Sequence, residues 1–146
     1  MKIGAEWAVS LIFIMICTIT DIRKREIPLT MIILFSCLSL VIAKIRGEEG
    51  GWFSFLYSMA PGVFFLLLSF CTRQSIGYGD GLVIFVLGLY VGYRKCIMIV
   101  AIGLVASSVY ALVLLVCRKV KGKSRIAFVP FLAIGWGVVY VAQKGM

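Results

Sequence analysis

Six apolar runs, at roughly 4–20, 28–45, 52–72, 80–93, 95–117 and 127–143, take up nearly all of the chain. Short polar loops separate them, so little chain remains to form a water-soluble layer around a core. The second, third and fifth runs approach the ~20 residues that an α-helix needs to cross a bilayer, and the shorter fourth suits a tilted or partly re-entrant segment. Composition agrees with this pattern. Hydrophobic residues make up 62% of the chain and charged residues 14%, against about 45–50% apolar and about 25% charged in ordinary soluble domains, and mean hydropathy is +1.10. The expected fold is all-α: a polytopic integral membrane helical bundle of about six transmembrane helices, one domain spanning residues 1–146.

The first run does not read as a cleavable signal peptide, because Asp21-Ile22-Arg23-Lys24-Arg25-Glu26 follows it rather than a small-residue cleavage site. Basic residues at the end of an apolar segment hold that end in the cytoplasm. In a six-span arrangement, loops 1, 3 and 5 carry nine Lys and Arg residues, including Arg23, Lys24, Arg25 and Arg73. The opposite face carries six: Lys2, Lys44, Arg46, Arg94, Lys95 and Lys144. This asymmetry predicts a multi-pass protein of the inner or plasma membrane, with loops 1, 3 and 5 in the cytoplasm and both termini outside.

The net charge of +9 is scattered through short loops. It therefore fits anionic lipid headgroups rather than nucleic acid, which is not an expected partner. Cys17, Cys37, Cys71, Cys96 and Cys117 fall mostly inside the apolar runs without a C-x-x-C pair. They are expected to act as buried small hydrophobes rather than zinc ligands.

Local signals refine the spans. Pro28 suits the first turn of a helix, where its missing N–H costs nothing, and Trp52 and Phe53 fall where an interfacial aromatic belt is expected. Pro61-Gly62 should kink the third span or break a turn. Gly88 with Gly92, and Gly103 with Ser107, form small-xxx-small faces that predict close helix packing.

The chain has only two aspartates, Asp21 and Asp80, and each lies where an apolar run meets a polar loop. A carboxylate at membrane depth is costly and marks function by default. Asp80 also reads as a plain N-cap of the fourth span. Asp21 closes the first span, where the helix dipole disfavours a negative charge, and its bland alternative is an i, i+4 pair with Arg25. As the only aspartates, placed on one predicted face, they favour a catalytic pair. Histidine is absent, which removes Ser-His and Cys-His nucleophiles and histidine metal sites. Two neighbouring carboxylates cannot both ionise, so one serves as base and the other as acid in hydrolysing a peptide bond. Such a mechanism needs no cofactor and no metal.

Asp21 to Pro28, with Ile27-Pro28 following the basic stretch, resembles the first motif of the type IV prepilin peptidases. Gly77-Tyr78-Gly79-Asp80 is similar to their second motif, G-x-G-D, shared in outline with preflagellin peptidases and presenilin-type proteases. Arg125 to Gly135, which contains Pro130-Phe131, resembles their last span. The resemblance runs from about residue 10 to 137. Two positions depart from the pattern: Leu29 where Asn is frequent, and Gly81-Leu82 where Val-Lys is frequent. Leu82 removes any cationic help that a lysine would give the aspartates.

The resemblance implies a membrane-embedded aspartic endopeptidase of the short, peptidase-only branch, with methyl transfer left to another enzyme. Its substrates would be prepilins or pseudopilins, whose short basic leader is cut after a glycine at the cytoplasmic border. Asp21 and Asp80 would be catalytic, with Gly77, Gly79, Ile27, Pro28 and Pro130 as motif support. The glycines at 77, 79 and 81 are expected to hold an irregular backbone beside Asp80 that meets an unwound substrate. Glu26 is a candidate contact for the basic leader, although neutralising Lys24 and Arg25 explains it as well. Arg73 is a candidate for the site or for lipid headgroups. Two rivals stand beside this reading: a preflagellin or other G-x-G-D protease, and a non-enzymatic transporter or scaffold whose aspartates bind a cation. No internal repeat of the kind transporters show is visible.

Overall fold

A computed structural model of the chain describes residues 4–24, 28–46, 51–71, 77–117 and 127–145. Among these residues every regular element is an α-helix: α1 Ala5–Lys24, α2 Leu29–Arg46, α3 Gly51–Cys71, α4 Tyr78–Val91, α5 Tyr93–Val116 and α6 Val129–Gly145. The boundaries follow the apolar runs, with one consequential extension. α1 continues a turn beyond its run to Lys24, so Asp21 lies within the helix instead of closing it.

The shortest helix is the central one. α4 is apolar on all sides, and Val83, Ile84, Val86, Leu87, Tyr90 and Val91 are all buried. It packs against α1, α2, α3 and α5, while α6 packs against α5 and α1. A helix hydrophobic all round belongs in the middle of a bundle.

Glycines set the two tightest crossings. A Cβ at Gly62 of α3 would overlap the Phe85 backbone, and one at Gly88 of α4 would overlap the Ser58 carbonyl. Gly81 faces Leu66 at 3.0 Å. These contacts pair rising numbers in α4 with falling numbers in α3, so the two helices run antiparallel. α5 and α6 repeat the device: Gly135 abuts the Ile99 carbonyl, and Gly103 lies 3.3 Å from the Phe131 carbonyl. The expected packing role of Gly88 and Gly103 is therefore met.

Gly92 is different. It is not on a helix face but caps the end of α4 at φ 80°, in the left-handed region that glycine enters without cost. Of the kink or broken turn expected at Pro61-Gly62, the broken turn does not occur, since α3 is helical throughout and Pro61 is buried within it. Of the cysteines, Cys17 and Cys96 are buried, but Cys37, Cys71 and Cys117 are exposed, because only the first two face neighbouring helices.

Among the described residues, α5 alone is long and apolar enough to cross a membrane; α2, α3 and α4 carry shorter apolar stretches. Among the described residues the architecture is thus all-α with six helices, whereas six full spans are not shown. At one end of the bundle Trp7, Trp136 and Tyr140 cluster, with Trp136 and Tyr140 stacked at 5.1 Å. The Trp136 indole donates to Ser10 Oγ at 3.1 Å, which joins α6 to α1. The end of α1 and the start of α4 lie at the other end.

Candidate active site

Asp21 stands in the last turn of α1, among residues that divide sharply by face. Arg23 and Lys24 are exposed, whereas Asp21 is only 8% exposed. The sequence places the carboxylate at the end of the helix, and the packing of α1 on α4 turns it inward.

Asp80 comes from the first turn of α4. Its N-cap is Gly77, at φ −57° and ψ 125°, with no side-chain cap; Asp80 itself is the third helical residue and not the cap. Its N–H donates to the Gly77 carbonyl at 3.1 Å. A carboxylate in a first turn lies at the positive end of the helix dipole, which favours the charge there. Tyr78, Gly79 and Gly81 are helical too, so the irregular backbone expected at Gly79 and Gly81 is not present, while Gly77 lies outside the helix. Gly81 instead admits Leu66 of α3. Gly77 serves the carboxylate directly. A Cβ there would lie 3.0 Å from Asp80 Oδ2, so the absence of a side chain leaves room for the carboxylate to fold back over the helix start.

The two aspartates, distant in sequence, are brought together. Asp80 is half-buried, and the Asp21 carboxylate is near enough for its charge to act on it. A third group joins them. Cys17, one helical turn before Asp21 and buried, also feels the Asp21 charge. The i, i+4 spacing that puts Cys17 and Asp21 on one face is visible in the sequence, but treating all five cysteines as filler hides it. Among the described residues no group of three His, Cys, Asp or Glu side chains is arranged to hold a metal ion. Two adjacent carboxylates disfavour simultaneous ionisation, so the pair can hold one proton between an acceptor and a donor.

The remaining candidates are spread around this end. Pro28 is exposed and directly precedes α2, with its carbonyl accepting from the Met31 N–H at 3.0 Å. Pro130 is the second residue of α6, where it lacks only a donor that no helical carbonyl needs, and the Phe128 carbonyl accepts from Phe131 and Leu132 around it. Gly79 is half-buried within α4. Ile27, Glu26 and Arg73 lie outside the described residues, as does the Arg25 of the alternative ion pair.

No curated protein and no solved structure matches the chain. A family model does, that of the type IV leader peptidase family, over residues 8–112. The match covers α1 to most of α5 and includes Asp21, Asp80 and the stretches around them; the Pro130 region lies beyond it. With more than half of its length matched, from the helix that carries Asp21 past the one that carries Asp80, the chain belongs to the type IV leader peptidase family.

Proposed function

We propose that this peptidase is an aspartic endopeptidase embedded in the membrane, with Asp21 and Asp80 as its catalytic pair, and that it removes the short basic leader of prepilin-like proteins. The observation that carries this reading is the meeting of the chain's only two aspartates, from α1 and α4, at one end of the bundle. One carboxylate draws a proton from water as it attacks the peptide carbonyl. The other, held neutral by its charged neighbour, protonates the departing amine, and the roles then exchange. The proton belongs to the pair rather than to either residue.

The outer surface supports the membrane setting. Ile33, Leu34, Phe64, Phe70, Leu112 and Val116 are each more than half exposed. Apolar side chains in such numbers on several helices suit lipid better than water. α4 has 14 residues, about 21 Å of helix against a hydrocarbon core of about 30 Å. α4 alone is therefore shorter than the hydrocarbon core, and Asp80 stands in its first turn, near one of its ends. The basic residues of loops 1, 3 and 5 support a cytoplasmic placement of that end, the side where a prepilin leader resides. α4 is a regular helix from Tyr78 onward, and the substrate backbone meets Asp80 in an extended form.

The deciding experiment co-expresses a prepilin-like substrate with the wild type, Asp21→Asn and Asp80→Asn, reading cleavage as a gel shift and checking membrane insertion separately. Cleavage by the wild type and by neither variant is expected. Cleavage by either variant would remove the two-aspartate mechanism.

A further inference from the structure

The opposite end of the bundle carries a cavity of about 490 Å³, lined by Tyr57 and Ser58 of α3, Val91 of α4, Gly92 of the connecting turn, and Tyr93, Arg94 and Lys95 of α5. We infer that this cavity binds the phosphate of an anionic phospholipid headgroup through Arg94 and Lys95. It is an open depression rather than an enclosed pocket, as suits a headgroup that stays at the surface. Its lining holds two cations and no carboxylate, and among the described residues neither cation is paired with an acid.

The two cations differ in a way that suits one ligand. Arg94 is exposed, and its planar guanidinium offers two parallel N–H donors to a phosphate. Lys95 is half-buried, with its Nζ 5.2 Å from the centroid of the Trp7 ring. That contact steadies a long side chain that would otherwise lose conformational freedom on binding. Gly92 keeps the space open, since nothing lies within 4 Å of where its Cβ would be. Tyr57 and Tyr93 are exposed beside the cavity, and amphipathic rings of this kind settle at headgroup depth. Charge and aromatic rim therefore agree on a phosphodiester at the membrane surface. The site lies at the end away from the aspartates, and its occupancy does not depend on peptidase chemistry.

The test uses the full chain purified in a neutral detergent and exposed to mixed micelles of phosphatidylglycerol or phosphatidylcholine. Retained lipid is counted by native mass spectrometry, and the melting temperature is read in parallel. Wild type is expected to retain phosphatidylglycerol over phosphatidylcholine and to melt higher with it. Arg94→Gln, a change at an exposed side chain, should lower retention about tenfold, the loss of one charge-assisted contact, without changing the melting temperature in detergent alone. Lys144→Gln, in the last turn of α6, should retain lipid as wild type does. Equal retention of both lipids, or equal retention by wild type and Arg94→Gln, overturns the inference. Displacement of the lipid by millimolar inorganic phosphate would show a free-phosphate site and overturn the lipid assignment. Cleavage is not read, so failure here leaves the peptidase reading untouched.

Discussion

The Tyr90 hydroxyl of α4 donates a 2.6 Å hydrogen bond to the backbone carbonyl of Phe35, midway along α2. Both residues are buried, and α4 is the principal support of α2 among the described residues. The Phe35 ring also meets Phe13 of α1 at 4.9 Å. The helix that follows Pro28 is thus fastened at its middle to the helix that carries Asp80.

Removing only that hydroxyl isolates its contribution. Tyr90→Phe keeps the ring and is expected to cost about 1 kcal/mol, read as a lower melting temperature in detergent with normal membrane insertion. An unchanged melting temperature would mean that the bond adds nothing beyond ring packing.

The helix crossings make a prediction that separates one glycine from another. Gly88→Ala forces a methyl group into the Ser58 carbonyl, and overpacking of this kind costs about 1–3 kcal/mol. Gly137 of α6 has nothing within 4 Å of its Cβ position, so Gly137→Ala should be neutral or slightly stabilising, as alanine is the better helix former. Thermal melts of the two variants side by side check the contrast.

Gly77 tests the carboxylate's own space. In Gly77→Ala the new methyl group crowds Asp80 Oδ2, at 3.0 Å, and displaces the carboxylate rather than the helices. Turnover of a prepilin-like substrate should fall tenfold or more, an order-of-magnitude expectation for a displaced reacting group, while the melting temperature stays close to wild type. A parallel loss of stability would assign the residue to folding instead.

The shared proton predicts a bell-shaped dependence of cleavage on pH. At low pH both carboxyls are protonated and no base remains. At high pH both are ionised, and the acid is lost. Neither Asp21→Asn nor Asp80→Asn should retain either limb. Initial rates of wild type across the pH range provide the check, and a single-limbed profile would show that one titrating group suffices.

Much of the architecture is written in the chain itself. Among the described residues the apolar runs match six helices to within a few residues, because each run is far longer than the about 4–8 residues of a strand. The even number of helices between the end of α1 and the start of α4 then puts Asp21 and Asp80 at one end, which is why the pair is legible without coordinates. Tertiary structure alone decides what each small residue is for. Gly79 and Gly81 look like chain breakers in sequence but lie in a regular helix, since the close approach of Leu66 to Gly81 requires a missing side chain and not a special backbone angle. Gly92 looks like a packing residue and proves to be the left-handed turn between α4 and α5. Cys96 is buried while Cys117, in a similarly apolar stretch, is exposed. Composition sets how apolar a helix is, but which of its faces meets another helix depends on neighbours far away in the chain.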